Sequence, residues 1–92
     1  MKPYLIHHLL EASADRMPDK TAVSEPDRSV TYGGLLENSR KFASGLAEAG
    51  LRKGGHVGIL LDKSIDQVHA LFGTWIAGGV AVVINQIGRA HV

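Results

Sequence analysis

The sequence has no cysteine. Disulfides, thiolate catalysis and cysteine-ligated zinc or iron–sulfur sites are therefore excluded from these residues, and a chain without cysteine is in keeping with the cytoplasm. An excess of one charge is also lacking. The formal net charge is +1 and no five like charges follow one another, so neither a nucleic-acid footprint nor a charged interaction tail is present. Long hydrophobic runs are missing too. The best candidate, 70–84, carries no charge but is interrupted by Gly78-Gly79. It falls short of the roughly 20 residues a spanning helix needs, and reads as a buried helix followed by a buried strand. The opening Met1-Lys2-Pro3-Tyr4-Leu5-Ile6-His7-His8-Leu9-Leu10-Glu11 lacks the unbroken apolar core of a signal peptide. Neither G-x-x-x-x-G-K-[ST] nor G-x-G-x-x-G occurs, which removes the two commonest phosphate-loop signatures.

What remains is an ordinary globular composition. Of 92 residues, 45% are apolar, enough for one small core that buries roughly two-thirds of the unfolded chain's surface. There is no internal repeat and no low-complexity segment.

Periodicity gives the elements. Leu5, Leu9 and Ala12 share a helical face, which predicts a helix over 4–16, with Pro3 tolerated at its start and Pro18 beyond its end. Thr21-Ala22-Val23-Ser24-Glu25 and Ser29-Val30-Thr31-Tyr32 flank Pro26-Asp27-Arg28 and read as a hairpin. A helix over 33–49 follows, with Leu35, Leu36, Ser39, Phe42, Ala43 and Leu46 on its apolar stripe. Thr31 is its N-cap and Gly50 its left-handed stop. Beyond the loop Leu51-Arg52-Lys53-Gly54-Gly55, a buried strand is expected over 56–61 and a helix over 64–77, whose apolar face is Ile65, Val68, Phe72, Trp75 and Ile76. A second strand is expected over 80–84. Its continuous Val80-Ala81-Val82-Val83-Ile84 is the pattern of a strand covered on both faces. Strand, helix and strand over some 30 residues make a βαβ unit with parallel strands and a right-handed crossover. The fold class is α/β: a β-hairpin and a βαβ unit that begin a layered, incomplete sheet.

Few residues invite a chemical role. His7 and His8 are adjacent, so on a helix they point to different faces and make a poor metal pair. His56 at a strand edge and His69 on a helix have no ligand partners at suitable spacing. Asp62 and Lys63 follow the C-terminal end of a strand, where α/β proteins often bind ligands, although first-turn charge explains them as well. Gly54-Gly55 and Gly78-Gly79 read as turn and cap rather than phosphate loops. Phe72 and Trp75 read as core or interface, lacking the basic neighbours of a base-stacking platform. No catalytic, cofactor-binding or metal-ligating residue is assigned.

The order and spacing of several segments resemble the N-terminal region of the adenylate-forming superfamily: acyl-CoA synthetases, peptide-synthetase adenylation domains and luciferases. These segments are Pro18-Asp19-Lys20-Thr21-Ala22-Val23, then Val30-Thr31-Tyr32 with Leu35, Ser39, Ala43 and Leu46. Gly50-Leu51-Arg52-Lys53-Gly54 with Val57-Gly58-Ile59 follows, and the next helix–strand pair ends at Asn85. The resemblance covers 4–85. His7-His8-Leu9-Leu10 and Leu61-Asp62-Lys63-Ser64 look closest to acyl-CoA ligases associated with exosortase systems. Three positions depart from the family pattern: Gly55 where Asp is usual, Gly34 where a glutamate completes a capping box, and Val83 where proline is usual.

The resemblance implies an AMP-forming acid–thiol ligase as parent. A carboxylate attacks the α-phosphate of Mg-ATP, releasing pyrophosphate, and the thiol of coenzyme A then takes the acyl group. ATP, Mg²⁺ and CoA are its implied cofactors, and a small carboxylate its partner, with no nucleic acid and no membrane span. The family's phosphate loop, ribose-binding aspartate, hinge and late lysine all fall beyond these residues, so the fragment is expected to be inactive alone. An adenylation domain that loads a carrier protein is the second enzyme reading, and a small non-catalytic binding module the third. On this resemblance, residues 1–85 are the N-terminal part of an AMP-binding domain. Ile87-Gly88-Arg89-Ala90-His91-Val92 resembles a translated sequencing-library adapter, and 86–92 is expected to be a non-native tail. A strand that wants neighbours leads to an expectation of aggregation or partial folding in isolation.

Overall fold

The computed structural model describes residues 6–60 and 64–84. In chain order these form α1 (Ile6–Arg16), β1 (Thr21–Glu25), β2 (Arg28–Thr31), α2 (Tyr32–Glu48), β3 (His56–Ile59), α3 (Ile65–Ile76) and β4 (Val80–Val83). The elements expected from periodicity are all present. Where both ends are described, they differ by no more than one or two residues, as helix and strand ends commonly do.

β1 and β2 are an antiparallel hairpin closed at Glu25↔Arg28, with an irregularity between Thr21 and Val23. The turn is thus Pro26-Asp27, and Arg28 belongs to the second strand. Tyr32 begins the helix instead of ending the strand, because Thr31 caps α2: it is extended (φ −80°, ψ 167°) and its hydroxyl accepts from the Gly34 N–H at 3.0 Å. Ser64 caps α3 likewise, accepting from the Gln67 N–H at 3.2 Å. Gly50 (φ 101°) and Gly78 (φ 83°) follow the two helices in the left-handed conformation that only glycine adopts at little cost.

β3 and β4 pair in parallel, in register His56↔Val80, Val57↔Ala81, Gly58↔Val82 and Ile59↔Val83. The loop before β3 is tied to the end of α3 by Gly54 N–H donating to the Gly78 carbonyl and Val80 N–H to the Gly55 carbonyl, both at 2.7 Å. The hairpin and the parallel pair are separate two-stranded sheets.

The core lies where the three helices meet: Leu10, Ala14, Leu35, Ala43, Ile65 and Ala70 are buried, with Ile59 beneath them from β3. Contact between α2 and α3 is close. A Cβ on Gly73 would stand 2.7 Å from the Cβ of Phe42 and 2.9 Å from the Ser39 carbonyl oxygen, so a hydrogen is the largest group this crossing admits. Thr74 next to it is fully buried and satisfies its hydroxyl by donating to the Ala70 carbonyl at 2.7 Å.

Three expectations of burial are corrected. On β3, expected to be a buried strand, only Ile59 is buried, while His56, Gly58 and, just beyond it, Leu60 are exposed. On α1 the inward face is His7, Leu10 and Ala14, while Leu9 is 64% exposed and Ala12 is exposed; Leu5 lies outside the described residues. Several apolar residues on this short helix fit more than one stripe, and packing against α2 chose between them. On β4, coverage is on one side. Side chains alternate along a strand, and Val57, Ile59 and Ala81 face the helices. Val80, Val82 and Ile84 belong to the other face and are 42–47% exposed, and on the helix side coverage stops at Ala81, since Val83 is 51% exposed. An apolar sequence records that a strand could be covered twice; the described helices lie against one side.

Candidate functional site

The most connected polar cluster joins the hairpin to the start of α3. Glu25 ends β1 and Arg28 begins β2, so the tight turn holds them side by side: Arg28 Nε donates to Glu25 Oε1 at 2.8 Å. The other guanidinium arm donates to Asp66 Oδ2 at 3.0 Å, in the first turn of α3. Glu25 Oε2 accepts from the Ile65 N–H at 2.7 Å. Ser64 and Glu25 thereby take up two of the amide groups that a helix start leaves without intrahelical partners. A carboxylate at the positive end of a helix is favoured electrostatically as well. Hydrogen bonding from Arg28, then from the Ile65 amide, holds the Glu25 carboxyl below the usual carboxylate range. The two carboxylate partners move the Arg28 guanidinium further from deprotonation. An open cleft of about 370 Å³ beside this cluster is lined by Val23, Ser24, Glu25, Ser64, Gln67 and Val68.

Sequence reading missed this cluster. The Glu25–Arg28 spacing in a hairpin is a local signal, but the bonds to Ile65 and Asp66 join residues 40 and 38 positions apart. No periodicity reveals them.

The described histidines are not brought together into a site. His7 is buried and His8 exposed, their rings 4.5 Å apart edge to face. His56 is exposed at the first position of β3. His69 on α3 lies 3.4 Å from the Asn38 amide on α2 and is lowered in pKa, mainly by burial. Among the described residues no three histidines or carboxylates are placed to hold a metal ion. Asp62 and Lys63 lie outside the described residues. Gly54-Gly55 precedes a strand and Gly78-Gly79 ends a helix, so neither pair forms the glycine-rich helix entrance that cradles phosphate. Phe72 and Trp75 meet edge to face at 5.3 Å and are both half-buried, as packing residues are.

Two of the unusual glycines acquire a local reason. A Cβ on Gly55 would fall 2.6 Å from Leu51 Cδ1 and 2.9 Å from the Arg52 carbonyl oxygen, so this loop closes around a residue without a side chain. A Cβ on Gly34 would stand 3.1 Å from Val30 Cγ2 and 3.3 Å from Thr31 Oγ1.

An apolar groove of about 290 Å³ runs between α1, the hairpin and the other two helices, with Leu10, Val23, Leu35 and Phe72 among its walls. No described helix is long and apolar enough to cross a membrane.

With this geometry in hand, the chain can be set against known proteins. The sequence model of the AMP-binding enzyme family matches residues 10–91. Bacitracin synthase 1 of Bacillus licheniformis is 39% identical over 80 residues, 87% of this chain and 2% of that protein. A long-chain-fatty-acid–CoA ligase of Bacillus subtilis is 34% identical over 86 residues, 94% of this chain and 15% of that protein. Among solved structures, the anthranilate CoA ligase AuaEII in complex with anthranoyl-AMP superimposes with a TM-score of 0.87 and 31% identity. That match covers 91% of this chain and 16% of that one. The chain therefore spans a small fraction, 2–16%, of the length of these relatives.

Proposed function

The chain belongs to the AMP-binding enzyme family, and we propose that it is the N-terminal part of the adenylating domain of an AMP-forming acyl-CoA synthetase. The parent enzyme activates a small carboxylate as its acyl-adenylate and passes the acyl group to coenzyme A. The observation that carries this reading is the likeness to a fatty-acid–CoA ligase across 94% of the chain. It is supported by the parallel βαβ unit that superimposes on a second CoA ligase.

In this reading the chain supplies scaffold. Its left-handed glycines at 50, 54 and 78 serve helix ends and a turn, and the Glu25 and Asp66 carboxylates are spent on Arg28 and on a helix start. Binding of ATP, Mg²⁺ and CoA is assigned, in this reading, to the remainder of the parent. What the chain contributes is order: a capped α3 and a parallel strand pair on which further strands of a sheet can be laid.

A second reading has its own support. The 39% identity to a bacitracin synthase favours an adenylation domain whose acyl group goes to a carrier protein. Pyrophosphate exchange by the parent protein separates the two. Exchange stimulated by fatty or aromatic acids, with acyl-CoA formed when CoA is added, is the expected result. Exchange with amino acids and no acyl-CoA would replace it with the second reading, and no exchange with either would leave a non-catalytic binding module. The 92-residue chain by itself is expected to give no exchange. The division after Asn85, with 86–92 as a non-native tail, is part of the proposal. Sequencing the source locus tests it, and native codons for 87–92 would remove it.

A further inference from the structure

One buried titratable group has no part in that scaffold. His7 stands in the first turn of α1, 8% exposed, and its Nδ1 is buried with no hydrogen-bond partner among the described residues. A buried polar atom without a partner is uncommon and marks a place where a small change of state matters. We propose that His7 is a pH-sensitive latch: neutral, it lets α1 lie against α2 and α3; protonated, it releases α1 from them.

The geometry sets the direction. Charging the ring would bury an imidazolium on the inward face of α1, which also carries Leu10 and Ala14. It would also sit 4.5 Å from a second imidazole, His8. Among the groups on α1, only Glu11 opposes this, one turn on, and Arg40 of α2 draws on that same carboxylate at 3.6 Å. The ionisable groups of α3 are engaged elsewhere: Asp66 with Arg28 and His69 with Asn38. Burial first, and then His8, lower the His7 pKa from its ordinary value, with Glu11 acting the other way.

The sign follows. Docked His7 binds a proton more weakly than undocked His7. Docking is therefore strongest above the ordinary value of 6.5 and is lost as pH falls through the lowered value. Between the two, the ratio of undocked to docked α1 rises as pH falls, by at most about tenfold per pH unit, the slope of one proton. Below both it levels off. The latch is independent of which thiol the parent acylates.

Hydrogen exchange read by mass spectrometry on the whole 92-residue chain at low concentration tests this, because imidazole C2–H exchange gives each histidine's midpoint and amide exchange reports on 6–16. The expected result is a His7 midpoint below its ordinary value of 6.5. Amide exchange over α1, corrected for its intrinsic pH dependence, should accelerate below that of the neutral sample by the slope given above. His7→Gln should abolish the acceleration and His8→Gln should keep it. Should His7→Gln fail to fold, the two measurements on the wild-type chain and on His8→Gln still decide. A His7 midpoint at or above 6.5, or α1 exchange without a pH step, overturns the proposal.

Discussion

The two β elements of this chain are finished to different degrees. The hairpin is tied down by charged groups: Glu25 reaches the Ile65 amide, and Arg28 reaches both Glu25 and Asp66. The parallel pair is held by its backbone ladder and by α3 on one side, while Val80, Val82 and Ile84 stand 42–47% exposed on the other. Polar side chains fix an element locally, because their partners must be present for the bonds to form. Apolar strand faces carry no such specification. They need surface, and any apolar layer of the right shape will serve. In the proposed parent that layer is further sheet and helix. In the isolated chain it is water or another copy.

The contrast can be broken by substitution, with the unfolding of the single tryptophan, Trp75 on α3, followed by fluorescence in urea. Leu35→Ala removes a side chain that is 3% exposed at the junction of the helices. A loss of about 2–5 kcal/mol is expected. If the loss were below about 1 kcal/mol, the helical side would be no better packed than the open sheet face. Gly73→Ala forces a methyl into the Phe42 and Ser39 contact. Overpacking costs about 1–3 kcal/mol, partly offset by about 1 kcal/mol of helix propensity. The larger Gly73→Val should exceed it.

Gly55→Asp, which restores the residue usual in the resembling family, is expected to destabilise this chain, since its Cβ has no room between Leu51 and Arg52. A neutral or stabilising result would mean that the loop can re-form around a side chain. Glu25→Gln keeps an acceptor for the Ile65 amide but loses the ion pair with Arg28, so its effect should be smaller than that of Glu25→Ala. The pH dependence has a definite sign. The folded Glu25 pKa lies below its ordinary value of 4.5, so its contribution is present above that value and lost as pH falls through the lowered one. Glu25→Gln should flatten this acid limb, and an unchanged limb would show that the hairpin tie is not formed in solution.

The smallest effect on stability is expected from Val82→Lys, on the open face of β4: within about 0.5 kcal/mol, as for exposed positions generally. Its effect on association should be large, because a charge on an exposed apolar strand discourages pairing between copies. Sedimentation of the wild-type chain should show concentration-dependent association that Val82→Lys reduces. A stability loss for Val82→Lys as large as that for Leu35→Ala would show that the face is covered after all.

Much of this molecule could be read directly from its residues. Thr31 as N-cap, Gly50 and Gly78 as helix stops, and the parallel pairing of two strands around α3 all follow from local chemistry, in which a hydroxyl, a missing Cβ or a period of apolar residues acts within a few positions. The ordered resemblance of those segments to adenylate-forming enzymes carried as far as the family, to which the chain belongs. Other features needed the tertiary structure. Which of Leu9 and Leu10 faces inward depended on where α2 lies. The Glu25–Ile65 bond closes over 40 residues. The close crossing at Gly73 is a property of two helices, not of one. Even the burial of β4 was undecided by its valines, because an apolar side chain states what it will tolerate on both faces, and only the neighbours present determine which face is covered.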